Sequence, residues 1–435
     1  MGLGLVTDLY ELTMVASYLR RDMTAPATFS VFARHLPPDR GFLVAAGLDD
    51  VLRLLEDLAF DDADLDWLAT QGFDAEAVEG FRALRFTGEV RAIPEGHVVL
   101  PDEPLLEITA PLPEAQLVET LVLNQVTYQS ALATKAARCQ LAVAGRASLV
   151  DFSLRRTHGM EAGRAAARAG AIAGFVGTSN AAAAQELGIP AVGTMAHAYI
   201  QAFPSEREAF VAFAEDFPDR TTFLVDTYDT LGGVRLALEV AEALDLRQGV
   251  GVRLDSGDLL ALSKQARQVL EASGRQDVKI VASGGLDEHD LARLLDAGAP
   301  IDVFGVGTKI GVSADAPTVD TVYKLVEYDG RPVMKLSAGK QTRPGAKQVY
   351  RGSAGDVLAL ASEPSTGGTP LLVPVMRDGK RLAPTEPIAA PQARLAADLD
   401  ALPEPARRLH DPVAPKVRVS PQLEQLTREV AAEHG

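Results

Sequence analysis

The sequence predicts an α/β protein: an irregular parallel β/α barrel, together with a mixed α+β domain formed by the N-terminal segment and a C-terminal return. Three observations lead there. From about residue 146, short β-branched apolar runs alternate with helical patterns. Those runs end in small, polar or charged residues. The flanking segments are rich in proline and read as strands without the same rhythm.

Residues 1–135 are assigned to the N-terminal α+β domain, with strand-like runs in "PATFSVFARHL" and "EVRAIPEGHVVLPDEPLLEI". Residues 136–318 are assigned to the barrel. A helix, "KAARCQLAVAG", leads into it, and its lone Cys139 reads as a small core residue. Seven apolar runs follow: "ASLVDF", "GFVGT", "PAVGT", "TTFLVD", "GVGVRL", "VKIVAS" and "DVFGVG". Between them lie patterns such as "HGMEAGRAAARAG" and "DEHDLARLLDAG", which stop at glycine as helix C-termini do. Successive strand–loop–helix units make a parallel sheet, and so many in a row favour a closed or nearly closed barrel over an open doubly wound sheet. Residues 319–435 return to the N-terminal domain through "TVYKLVEY", "RPVMKLS" and "LLVPVMRDGK". They finish in a helical tail, "QARLAADLDAL" and "SPQLEQLTREVAAE".

Composition narrows the function classes. The chain has 435 residues, 47% hydrophobic and 23% charged, with a net charge of −17. Such acidity argues against nucleic acid or an anionic membrane as partner, though a local arginine cluster can still bind an anion. One cysteine excludes an internal disulfide framework. The opening "MGLGLVTDLYELTM" lacks a basic, cleavable leader, and no apolar run reaches the roughly 18 residues of a membrane span. A cytoplasmic location is expected.

Parallel barrels carry their chemistry where the strands end. Here those ends supply Phe152, Arg155, Arg156 and His158; Thr178, Ser179 and Asn180; Thr194 and His197; Asp226, Thr227 and Asp229; Arg253, Asp255 and Asp258; Ser283, Gly284 and Gly285; and Gly305, Gly307, Thr308 and Lys309. Each group alone is also good turn chemistry. The glycines of "SGG" and "GVGT" let a phosphate approach backbone amides closely. Arg155 and Arg253 suit a pyrophosphate, or else salt bridges to nearby aspartates. Asp255 suits ribose hydroxyls or a magnesium ion, or else caps the next helix, a role that fits Asp258 better. Phe152 offers a flat face to an aromatic ring or packs in the core. His197 is a core histidine or an acid–base or nucleophilic group. Arg253 and Asp255 are two residues apart, so both leave their strand on one face.

With these residues in view, the chain resembles the nicotinate phosphoribosyltransferases, which are barrel-type (type II) phosphoribosyltransferases. The resemblance is carried by "TDLYELTM" at 7–14, "DFSLRRTHG" at 151–159, "GFVGTSN" at 174–180, "GTMAH" at 193–197, "LVDTYDT" at 224–230, "RLDSGDL" at 253–259, "GGLDE" at 284–288 and "FGVGTKI" at 304–310. It implies that nicotinate attacks 5-phosphoribosyl 1-pyrophosphate (PRPP) with coupled ATP hydrolysis and Mg2+, in a homodimer with shared active sites. It further implies that Phe152 stacks on the pyridine ring and that Tyr10 of a second subunit covers the other face. Arg253 and Thr194 then contact nicotinate. Arg155 and Asp255 handle pyrophosphate and ribose, and Ser283 belongs to the same group. Gly284, Gly285, Gly307 and Thr308 cradle the 5′-phosphate, and His197 is the residue that ATP phosphorylates. Lys324 and Lys340 reach a neighbouring active site. The direct metal ligands stay open.

In the related nicotinamide enzymes an aspartate stands where Ser179 falls, and a neutral residue there favours the nicotinate carboxylate. Quinolinate transfer would ask for more cations at the mouth. A non-catalytic phosphate-binding barrel and an aldolase using Lys309 as a Schiff base are the readings from other classes.

Overall fold

The computed structural model describes residues 2–337, 339–365 and 367–433. It divides into two compact units, one made of Met1–Ala131 with Ala316–Gly435 and the other of Leu132–Asp315. The division falls inside a long helix, Glu119–Val143.

The 132–315 unit is built on a six-stranded parallel sheet. Its strands are β1 (Ser148–Asp151), β2 (Gly177–Thr178), β3 (Thr222–Leu224), β4 (Gly251–Leu254), β5 (Lys279–Ala282) and β6 (Val303–Val306), in the order β2-β1-β6-β5-β4-β3. Helices follow nearly every strand: Met160–Ile172, Ala181–Leu187, Thr230–Ala243, Leu259–Ala272 and Glu288–Asp296. Their caps are those the sequence offers. Asn180, Asp229, Asp258 and Asp287 each accept a backbone N–H of the first turn. Asp258, not Asp255, caps its helix, which leaves the Asp255 carboxylate for other work.

Of the expected closed or nearly closed barrel, the structure shows a curled, half-barrel parallel sheet. "PAVGT" forms no full strand; it contributes an isolated bridge between Thr178 and Ala191. Pro190 has no N–H to give a ladder, and Gly193 adds no side chain to pack. Among the described residues, no strand ladder joins this edge to β3 at the other end.

The other unit holds a seven-stranded sheet that mixes both ends of the chain. Pro26–Ala33 lies between Thr321–Tyr328 and Pro104–Pro111, antiparallel to both, and Glu89–Ala92 pairs with Val373–Arg377. A four-stranded sheet carries Lys347–Arg351 and Val357–Leu360. Their core joins Phe29, Val31, Ile108 and Val122 from the first part of the chain to Tyr323, Val349, Met376 and Leu423 from the last. Glu107 is buried there. It accepts the Lys347 backbone N–H at 2.9 Å, and its carboxylate lies 3.6 Å from the buried Lys347 ammonium, whose pKa burial lowers. The tail ends in Ala389–Ala401 and Pro421–Ala432. Cys139 is fully buried, and burial pushes its thiol well up, as an inert core residue requires. Among the described residues, no helix is long and apolar enough to cross a membrane.

Candidate active site

Side-chain hydrogen bonds tie the C-terminal ends of the parallel strands together in two groups, β1 with β2, and β3 with β4 and β5. Asp151, the last residue of β1, is buried. Its carboxylate accepts Thr178 Oγ1 at 2.6 Å and the Ser153 backbone N–H at 2.9 Å, and its carbonyl accepts Ser179 N–H at 2.8 Å. Thr178 Oγ1 in turn accepts the Asn180 N–H at 3.0 Å. The exits of β1 and β2 are thereby tied together, which fixes Phe152 and Ser179. Phe152 bonds through its N–H to Val306 at 2.7 Å, and its ring lies over Gly305, where a Cβ would come within 2.4 Å of it. Phe152 is half-buried, while Ser179 and Arg155 are exposed.

Arg253 projects from β4 and donates to Thr194 Oγ1. Burial lowers its pKa; Asp255 and Asp226 oppose that shift, and Arg155 adds to it. No salt bridge forms at either Arg253 or Arg155 among the described residues, so the alternative of structural ion pairs is not what the fold uses. Arg253 Nε is buried without an acceptor. A half-buried guanidinium with one buried donor left free is a poor structural element and a good anion receptor.

Asp255 accepts Ser283 Oγ from the β5 exit. Asp226, just past β3, accepts the Asp255 N–H at 2.9 Å and Ser256 Oγ at 2.6 Å, and its Oδ1 is buried without a donor. His197 Nδ1 lies 3.1 Å from Thr227 Oγ1, which leaves Nε2 clear of protein hydrogen bonds among the described residues. Gly284 sits at φ 110°, where an added Cβ would approach the Asp255 carbonyl to 2.4 Å; Gly285, at φ 69°, faces open space. Gly307 and Thr308 open the short helix Thr308–Gly311, with Thr308 exposed.

Phe152, Arg155, Ser179, Arg253, Asp255, Ser283, Gly284, Gly285, Gly307 and Thr308 lie at the strand exits of the 132–315 unit, and Thr194 and His197 just past the isolated bridge at Ala191. Tyr10, Lys324 and Lys340 belong to the other unit. Tyr10 is 48% exposed and lines a shallow cleft with Glu119 and Thr120. Lys324 Nζ lies 3.9 Å from Glu119, and Lys340 is exposed. Asp151 and the carboxylate role of Asp226 were missed by sequence reasoning. Asp226 stood in the quoted "LVDTYDT", but nothing local distinguishes a carboxylate that orders a neighbouring loop from one that makes a turn. Lys309 donates to Asp287 at 2.8 Å and Asp290 at 3.2 Å; burial pulls its pKa down, but those bonds outweigh it and hold the ammonium charged. A charged, doubly paired lysine is a poor Schiff-base nucleophile, which removes the basis for the aldolase reading.

Comparison with known proteins points one way. Residues 5–127 match the nicotinate phosphoribosyltransferase N-terminal domain, residues 147–354 the nicotinate phosphoribosyltransferase family, and residues 322–427 its C-terminal domain. The last match takes in the stretch 360–420. The chain is 48% identical to the nicotinate phosphoribosyltransferase pncB2 of Mycobacterium tuberculosis over 99% of its own length and 95% of that protein. It is 43% identical to the nicotinate phosphoribosyltransferase of Bacillus subtilis, over 83% and 77%. The crystal structure of human nicotinic acid phosphoribosyltransferase superposes with a TM-score of 0.87 at 31% identity, covering 98% of this chain and 99% of the human one. From its motifs, its strand-end geometry and these relatives, the chain belongs to the nicotinate phosphoribosyltransferase family.

Proposed function

We propose that this chain joins nicotinate to PRPP, giving nicotinate mononucleotide and pyrophosphate for NAD biosynthesis, with ATP hydrolysis coupled through a phosphohistidine at His197. The observation that carries the reading is Arg253: half-buried with its Nε fully buried, without a carboxylate partner among the described residues, and bonded to Thr194 Oγ1. It receives the nicotinate carboxylate, and Phe152, braced on Gly305, stacks on the ring. The pyridine nitrogen attacks C1 of the ribose, the C1–O bond to pyrophosphate breaks, and the bonding electrons leave with the pyrophosphate oxygen. No proton transfer is needed.

Catalysis then rests on alignment and charge. Gly284, Gly285, Gly307 and Thr308 offer backbone N–H groups to the 5′-phosphate. Asp255, held by Ser283, takes the ribose hydroxyls, and Arg155, free of ion pairs, takes the pyrophosphate. The residues fit Mg2+: Asp226 Oδ1 is a buried carboxylate oxygen without a donor, and Asp226 and Asp255 together are the hard oxygen set such a cation takes. Bound there with the pyrophosphate, the ion would neutralise the leaving group. His197 Nε2 is the free nitrogen to which the ATP γ-phosphoryl group would pass. We further infer a homodimer in which Tyr10, Lys324 and Lys340 of one copy serve the site of the other.

The test is to mix protein, nicotinate, PRPP and Mg2+ with and without ATP. Nicotinate mononucleotide should form, faster with ATP, and γ-labelled ATP should label wild type but not His197→Ala. No product under either condition refutes the proposal.

A further inference from the structure

We propose that Lys309 is a positioning residue for the sugar phosphate: it clamps the loop after β5 to the turn after β6 and so sets the spacing of the two phosphate-binding segments. The proposal rests on the assignment of Gly284–Gly285 and Gly307–Thr308 to the 5′-phosphate and goes one layer behind it. Lys309 directly follows Thr308. Its ammonium donates to Asp287 Oδ2 at 2.8 Å and to Asp290 Oδ2 at 3.2 Å. Those two aspartates form the capping box of helix Glu288–Asp296, which begins three residues after Gly285. One side chain therefore joins the base of one glycine segment to the first turn behind the other.

The far side of the same helix start is fixed as well. Glu288, adjacent to Asp287, is buried; it accepts Arg138 Nε at 2.9 Å and pairs with Lys135 Nζ at 2.6 Å, and Lys135 also meets Asp315 at 3.0 Å. With the helix start anchored through Glu288, Lys309 becomes the adjustable tie between the two glycine segments. It matters electrostatically too. Without the ammonium, Asp287 and Asp290 would present two carboxylates close to a site that must take a phosphate. The Lys309 side chain is 38% exposed, and exposed pairs contribute little to stability. The clamp therefore acts on geometry far more than on folding, and an error of about 1 Å in placing a reactant can cost about a hundredfold.

The experiment compares Lys309→Met, Lys309→Arg, Asp287→Asn and the Lys309→Met/Asp287→Asn double variant. Asparagine caps a helix as well as aspartate does, so Asp287→Asn removes the ion pair and keeps the cap. Lys309→Met should raise KM for PRPP about tenfold or more, with KM for nicotinate and kcat within about twofold. Asp287→Asn should shift it the same way, the double variant should be no worse than the worse single, and Lys309→Arg should restore most of the loss. Ribose 5-phosphate binding measured by calorimetry should weaken in parallel. That readout needs no turnover, so it tests the clamp even if wild type fails to make nicotinate mononucleotide. An unchanged KM for PRPP, an equal rise in KM for nicotinate, or additive losses in the double variant would each overturn the clamp. So would an Asp287→Asn protein that binds phosphate as well as or better than wild type, because Lys309 would then touch the phosphate itself.

Discussion

Partial burial lowers the Arg253 pKa, and among the described residues its only side-chain bond is to the hydroxyl of Thr194. Such a group is costly until an anion arrives, which is how a receptor differs from a brace. Arg253→Ala should therefore reduce kcat/KM for nicotinate by about a hundredfold or more, the value of roughly 3 kcal/mol of charge-assisted bonding, with a small effect on melting temperature. Ser179 is exposed at the β2 exit, with its N–H bonded to Asp151. A carboxylate there would repel nicotinate and accept a hydrogen bond from an amide. Initial rates with both substrates should show wild type preferring nicotinate and Ser179→Asp losing that preference; a wild type that prefers nicotinamide contradicts the assignment. At Gly284, φ of 110° and the carbonyl of Asp255 leave no room for a side chain. Gly284→Ala should cost about 1–3 kcal/mol and appear as a raised KM for PRPP.

At the scale of elements, helix Glu119–Val143 opens with a carboxylate in a poor setting. Burial first, and then the neighbouring Glu11, push Glu119 up to about 7 against partial relief from Lys324 and Gln116. Between the unfolded value near 4.5 and about 7, the folded chain binds the extra proton. Stability from this group is thus full below about 4.5 and is lost as pH rises through about 7. Urea titrations from pH 4.5 to 8 should show that decline, of order 1–3 kcal/mol, and Glu119→Gln should flatten it; identical pH profiles would count against the shift. The strand exits were legible because an apolar run that stops at a charge or glycine is a local signal, as at Arg253–Asp255 and Gly305–Thr308. The third run misled for a local reason: "PAVGT" has the right apolar residues, but Pro190 and Gly193 leave it a single bridge. The ties of Asp151 to Thr178 and of Asp226 to Ser256 join residues about thirty positions apart, so no spacing rule exposes them.

For the molecule as a whole, a net charge of −17 coexists with a strand-end site carrying Arg253 and Arg155. Net acidity favours solubility, and those two arginines still offer an anion local partners. Pairing of Pro26–Ala33 with Thr321–Tyr328 brings together segments almost three hundred residues apart. The sequence shows that both are strand-like, and only the three-dimensional structure gives their register, because antiparallel partners leave no shared motif. If active sites are shared between copies, mixing inactive Tyr10→Ala with inactive Arg253→Ala should restore product formation as hybrid dimers form, to about a quarter of wild type for random exchange; mixtures that stay inactive despite exchange contradict sharing. The central claim is that side chains from Phe152 to Thr308 serve one ligand. The most direct measurement is a crystal structure with nicotinate mononucleotide. The carboxylate should bond Arg253, the ring should lie on Phe152, and the phosphate should sit on the amides of Gly284, Gly285 and Thr308; a product bound away from these groups would contradict the account.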